Sequence, residues 1–314
     1  MRQPPRIVRV LISCQPTVDG LSQQIRMAFY ASLEDLRYHW HMSAETQLAE
    51  EFSAKIRAHA LRMASRANSA HIGSSLSVAD IVSVLYTQIL RVDPAKPDWP
   101  ERDRLVLSKG HATSILYAAL AERGFFPLDW LTEYCKEGSK LLAHVSHHVP
   151  GVEVSTGSLG HGLPIACGMA LAAKRDNAPS RTFVVLSDGE LDEGSCWEAI
   201  LFAGHNRLSN LTAIIDYNKI QSFGTVKEVL DLDPLAAKWE AFHWHTVEVD
   251  GHDHVQLQET LSRVPLEADR PTAIIAHTIK GKGVGFMEGR LEWHYRSPNP
   301  AQLEQALKEI GYTS

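Results

Sequence analysis

Two short apolar runs dominate the middle of the chain, residues 182–187 (TFVVLS) and 211–217 (LTAIIDY). Both are β-branched and too continuously apolar for a strand with one wet face, as expected of parallel strands buried on both sides. Residues 192–208 between them carry apolar positions at helical spacing, so the segment predicts a strand–helix–strand unit. Strands joined in this way end side by side at the carboxyl edge of a sheet, where open α/β folds bind ligands. Asp188-Gly189 follows the first run and Asn218 the second. Asp-Gly after a strand is also ordinary turn chemistry. Placed together, however, the carboxylate, the amide oxygen and a backbone carbonyl just past Asn218, at Ile220, offer three oxygens to a hard cation. Mg²⁺ suits such a set, because it takes few ligands from protein and leaves the remainder to water and a phosphorylated ligand.

The same reading extends along the chain. Leu48, Phe52, Ile56, Ala60 and Met63 recur at helical spacing, and Ser77-x-x-Asp80 reads as a capping box opening a second helix through Ile81, Val82, Leu85 and Ile89. Residues 104–107 predict a strand, and 108–111 the turn into a helix through Leu116 and Leu120. A helix over 128–134 and a loop holding His144, His147 and His148 precede a glycine-rich turn at 151–162, which opens a small-residue helix over 165–175. Strands at 245–249 and 272–276 and helices at 255–264 and 301–310 complete the pattern. Strands alternating with helices imply an α/β fold: a doubly wound, mainly parallel sheet with helices on both faces.

Composition narrows the function classes. At 314 residues, 44% hydrophobic and 22% charged, the chain suits a soluble globular protein, and its net charge of -6 argues against a nucleic-acid surface. No apolar run approaches membrane length. Cys14, Cys135, Cys167 and Cys196 lack metal or redox spacing, which points to a reducing, cytoplasmic setting. The glycine-rich turn has neither a dinucleotide fingerprint nor the Gly-Lys-Ser/Thr of a phosphate loop, so nicotinamide and ATP are not indicated. Its small residues instead let backbone amides and a helix start approach an anionic or flat ligand. Residues 1–41 lack sustained periodicity and are expected to be a poorly ordered arm, or sequence upstream of a true start at Met42; residues 42–314 form the α/β domain.

Four polar spots should gather at the sheet's carboxyl edge: residues 69–73, 108–111, Asp188-Gly189 with Asn218, and the loop 280–294. Here the chain resembles a known family. Its runs 103–112 (DRLVLSKGHA), 150–160 (PGVEVSTGSLG), 188–193 (DGELDE), 216–220 (DYNKI) and 280–284 (KGKGV) look like the thiamine diphosphate domain of transketolases, across about residues 45–300. The resemblance implies a thiamine-diphosphate-binding fold, with Mg²⁺ (Ca²⁺ or Mn²⁺ as substitutes) held by Asp188, Asn218 and the Ile220 carbonyl. It implies diphosphate contacts from His111, the Gly189 amide, Lys280 and His294, and packing of Gly157 and Leu159 against the cofactor rings. His71 and His144 would face the substrate carbonyl and hydroxyls. Glu193 and Glu198 would join an interior carboxylate network between paired active sites across a subunit interface. His147, His148, His161 and His252 read as ordinary polar residues.

The family continues into a pyrimidine-binding domain that supplies an activating glutamate, whereas this sequence stops at Ser314. The expectation is therefore an N-terminal transketolase subunit, working with a separate C-terminal subunit in an α2β2 assembly. It would transfer a two-carbon ketol unit from a ketose donor to an aldose acceptor. Two alternatives remain: the α subunit of a 2-oxo-acid dehydrogenase or a deoxyxylulose-phosphate-synthase-like enzyme, and a non-catalytic cofactor-binding homologue. The Ser-Lys-Gly-His111 and His144 motifs favour transketolase.

Overall fold

The computed structural model describes the backbone of residues 23–312 and the side chains of residues 44–312. Residues 1–22 of the predicted arm, Cys14 among them, lie outside the described residues. Two compact units are distinguished, 1–45 and 46–314, and helical backbone is continuous over Gln23–Ala67.

In the second unit, β1 (Arg104–Leu107), β2 (Thr182–Ser187), β3 (Leu211–Tyr217), β4 (His245–Asp250) and β5 (Thr272–His277) form one sheet. Its order is β1-β2-β3-β5-β4, and every pairing is parallel. Burying a Val, Ile or Phe stabilises by about 1.5–3 kcal/mol. That places β2 and β3, buried along their whole length, in the interior of the sheet, whereas half-polar β4 forms an edge. Side chains alternate between two cores: Phe183, Val185, Ile214 and Ile274 on one face, Val184, Leu186, Ile215 and Ile275 on the other.

Each core is roofed by helices. Gly162–Arg175, Gly194–His205 and Leu235–Ala241 cover the second face through residues such as Ala166, Ile200 and Trp239. Ile72–Ser77, Ala79–Val84, Thr113–Glu122, His254–Ser262 and Pro300–Glu309 cover the first, with the 46–67 part of the opening helix. The last two start where local chemistry says they should. Asp253 accepts from the amides of Val255 and Gln256, and Asn299 with Gln302 makes a capping box ahead of Pro300.

Three local expectations need correction. Ser77 caps nothing: the predicted helix breaks at Val78, and the Ser77 hydroxyl donates to Asp216 Oδ2 at 2.6 Å instead. Leu128–Glu133 winds as a 3-10 helix, and Leu48, placed in the apolar stripe, is 51% exposed.

Beyond β2 and β3 the next helices lie on the second face, and beyond β4 and β5 on the first. The connections therefore change face between β1 and β2 and again between β3 and β5, the topological switch points at which open α/β sheets bind ligands. No described helix is long and apolar enough to cross a membrane.

Candidate active site

Because β2 and β3 pair in register with Ser187 opposite Asp216, the residues that follow the two strands, Asp188 directly after Ser187 and Asn218 directly after Tyr217, emerge at neighbouring tips. Both are buried, at 2% and 7% exposure. Asp188 Oδ2 accepts the Lys219 amide at 2.6 Å and Oδ1 the Gly189 amide at 2.8 Å, so one carboxylate laces the two tips together. Among the described residues no side-chain cation bonds to it. Burial, reinforced by the Asp216 charge, pushes its pKa up to about 6. Asn218 Oδ1 accepts the Ile220 amide at 3.2 Å, and the Ile220 carbonyl accepts the buried Lys280 ammonium at 2.9 Å. An ammonium thus stands where a cation meets that carbonyl. Among the described residues no three His, Cys, Asp or Glu side chains gather as a metal cage. One carboxylate with amide and carbonyl oxygens instead fits a hard cation that draws its other ligands from water and phosphate.

Four imidazoles gather beside this oxygen set. His71 lies 5.2 Å from His111, 6.0 Å from His144 and 4.9 Å from His294, ring centre to ring centre. They come from far apart in sequence: the turn before Ile72–Ser77, the exit of β1, the loop after residue 141, and a 3-10 turn at Leu291–His294. His71 itself sits at φ 71°, a left-handed conformation that non-glycine residues rarely hold and that clusters at functional sites. Its amide donates to the His294 carbonyl at 2.8 Å, which ties the first segment to the last.

Burial depresses the basicity of three of these rings. His71 falls to about 4, with His144, Lys280 and Lys109 adding to the effect, and His294 to about 3, with Lys280 adding most after burial. His111 is likewise driven well down by burial and Lys109, and its Nε2 lies 2.9 Å from Ser74 Oγ. At neutral pH these rings are uncharged hydrogen-bonding groups. His144 is exposed, and Gly157 packs on it so closely that an added Cβ would sit 3.1 Å from its Cδ2. Leu159, two residues on, is half-buried. Lys280 is buried, and desolvation lowers its pKa to about 8 although Asp188 opposes the shift.

Several residues of the site had no role assigned from sequence. Lys109 is fully buried, forms an ion pair with Asp216 and donates to the Ser74 carbonyl at 3.1 Å. Asp216 also accepts from Ser77 and from the Thr278 hydroxyl, so β1, β3 and β5 are cross-linked just beneath the imidazoles. The signal was a charged residue inside each of two motifs, Ser-Lys-Gly-His and Asp-Tyr-Asn. Glu190 is the interior glutamate after Asp188, accepting Ser108 Oγ at 2.5 Å and the Gly160 amide at 2.9 Å. Glu193 and Glu198 are exposed on this chain, so nothing within the chain gives them an interior position. A groove of about 430 Å³ between Leu191, Trp197, Leu230 and Phe242 lies outside the imidazole cluster.

Residues 48–314 match the family model described as "Transketolase, thiamine diphosphate binding domain". The 6-deoxy-6-sulfo-D-fructose transketolase subunit SqwG of a Clostridium species is 42% identical over 241 residues, which cover 76% of this chain and 88% of that protein. An apulose-4-phosphate transketolase subunit of Actinobacillus succinogenes is 45% identical over 241 residues, 76% of this chain and 87% of that one. Among solved structures, the transketolase of Campylobacter jejuni superimposes with a TM-score of 0.80 at 31% identity. The match takes in 85% of this chain but 43% of the Campylobacter jejuni protein.

Proposed function

The chain belongs to the family of transketolase thiamine diphosphate-binding domains, and from that footing we propose that it is the cofactor-holding, N-terminal subunit of a two-subunit transketolase. The observation that carries this is the pairing of Asp188 and Asn218 on adjacent strand tips next to four imidazoles. Relatives of similar length are named as transketolase subunits, and the solved transketolase it matches is more than twice as long. Both facts support a partner chain that completes the site with a pyrimidine-binding domain, in an α2β2 assembly. Cys135, Cys167 and Cys196 are free, which supports a reducing, cytoplasmic location.

In this reading Asp188, Asn218 and the Ile220 carbonyl hold Mg²⁺. His111, Lys280, His294 and the Gly189 amide receive the diphosphate, and Gly157 and Leu159 line its rings. Bound thiamine diphosphate supplies the electron sink for carbon–carbon cleavage. The chain's own part is to orient and to handle protons. His71 and His144 present ring nitrogens to the substrate's oxygens, accepting from a hydroxyl or donating to a developing alkoxide, and such help is worth roughly 10²–10⁴ in rate. Lys109 and Asp216 keep the strand tips in register beneath them. Glu193 and Glu198, exposed here, would meet the paired active site of a second copy.

Activity tests the proposal directly. With its C-terminal partner, Mg²⁺ and thiamine diphosphate, the chain should move two-carbon units from a ketose to an aldehyde without decarboxylation, and alone it should not. A folded, cofactor-loaded complex that transfers nothing from several ketose donors would sink the transketolase reading in favour of a non-catalytic homologue.

A further inference from the structure

A second buried polar chain approaches the site from behind, outside the imidazole cluster. Asp80, on Ala79–Val84 and 3% exposed, accepts both terminal guanidinium nitrogens of Arg57, at 2.8 and 2.6 Å. Burial opposes its ionisation, but Arg57 and the His252 hydrogen bond outweigh that and hold its pKa far below the usual carboxylate range. His252, in the turn beyond β4, places Nδ1 2.8 Å from Asp80 Oδ2. Its other nitrogen, Nε2, accepts the backbone amide of Ile279 at 2.8 Å. A backbone N–H can only donate, so Nε2 must be bare and Nδ1 must carry the hydrogen given to Asp80.

What this ring holds is the N–H of the Thr278–Ile279 peptide, one residue ahead of Lys280. Its neighbours have anchors of their own: Thr278 bonds to Asp216 and to the Tyr217 carbonyl, and Gly281 donates to the Gly73 carbonyl at 2.9 Å. Among the described residues the Ile279 amide has no partner besides His252, and the Ile279 side chain, 39% exposed, adds little by packing. Gly251 permits the approach, since a Cβ there would lie 2.5 Å from Thr278 Cγ2.

We propose that His252 is a positioning residue for the site, holding the Ile279 N–H through its Nε2 so that the Lys280 segment is fixed with its ammonium within reach of an anionic ligand. The Arg57–Asp80 pair fixes the ring and selects its tautomer. The inference rests on the proposed role of Lys280 in receiving diphosphate, but its first two readouts need no cofactor.

The test compares His252→Asn, whose amide can still reach Asp80 but stops short of Ile279, with His252→Gln, which restores an acceptor at the distance of Nε2. In the full chain, hydrogen exchange in a peptide spanning 277–282 should quicken about tenfold in His252→Asn, the worth of one hydrogen bond. It should be largely restored in His252→Gln. Imidazole nitrogen NMR on the wild-type chain, which requires no variant to fold, should show His252 protonated at Nδ1. With the partner subunit present, thiamine diphosphate affinity should fall roughly three- to tenfold in His252→Asn and recover in His252→Gln. A His252 protonated at Nε2, or unchanged exchange in a folded His252→Asn, would overturn the positioning role. Intact exchange effects with no change in cofactor affinity would reject its link to Lys280 while leaving the Asp188 site to stand or fall on its own test.

Discussion

Two buried aspartates, one at each end of the same pair of strands, have opposite surroundings. Asp103 precedes β1 at the amino edge and is 0% exposed; Asp188 follows β2 at the carboxyl edge and is 2% exposed. Asp103 accepts from Arg91 Nη2 at 2.8 Å, Arg181 Nη2 at 2.7 Å and the amides of both residues. Burial works against its ionisation, yet the two arginines hold its pKa below the usual value. Asp188 has two backbone amides, no arginine among the described residues and a second carboxylate nearby, and its pKa rises to about 6. An isolated buried carboxylate is costly, and a fold keeps one where something else supplies the positive charge. Asp103 is satisfied by the chain itself and fastens the amino edge. Asp188 is left, among the described residues, with no side-chain cation bonded to it, which is what the proposed metal site requires.

The sharpest break in this comparison is Asp188→Ala. Cofactor retention in the presence of Mg²⁺ should collapse by more than about a hundredfold, beyond the roughly 10–100-fold that second-sphere changes cost, while folding is spared because the unpaired charge is gone. Equal affinity for the variant and the wild type by calorimetry would remove the metal assignment. Asp103→Ala should do the reverse: unfolding in urea should show a loss of roughly 3 kcal/mol, reduced from the fully buried case because Arg91 is half-exposed, and the folded fraction should bind cofactor normally.

A pH series gives the smallest effect and a difference in sign. Folded Asp188 binds its proton more tightly than the unfolded chain does, so the cation-free protein loses stability from this group as pH rises from about 4 to about 6. Asp103 contributes stability above about pH 4 that is lost as pH falls. In the proposed site Mg²⁺ has to displace the Asp188 proton, so its affinity should fall by up to about tenfold per pH unit below about 6 and level off above about 7. A flat Mg²⁺ affinity between about pH 5 and 7 would contradict the raised pKa.

How much of this was legible beforehand depended on how local the cause was. The strands at 104–107, 182–187 and 211–217 were readable because continuous β-branched runs have few other stable places in a soluble fold. Adjacency of Asp188 and Asn218 followed the commoner outcome of a strand–helix–strand crossover, neighbouring parallel strands, which β2 and β3 obey and which β3 and β4, parted by β5, do not. The capping box at Ser77 failed for an instructive reason: its serine and Asp80 obey the local pattern but spend their hydrogen bonds on Asp216, Arg57 and His252. No periodicity encodes such partners. Glu190 carried the same sequence signal as Glu193, and only its bonds to Ser108 and Gly160 mark it as a carboxylate buried within the single chain.

The sequence by itself thus determined the class of sheet, the strand tips that carry Asp188 and Asn218, and the segments that hold the histidines. Tertiary structure alone decided the charge states within the site: which carboxylates obtain arginine or lysine partners, which imidazoles are dry enough to stay neutral, and which ring grips the Lys280 loop. Patterning is a property of neighbours along the chain. Desolvation and ion pairing depend on groups far apart in the chain, as the buried Lys109 and Asp216 are at 107 residues, and those meet only when the sheet closes over its helices.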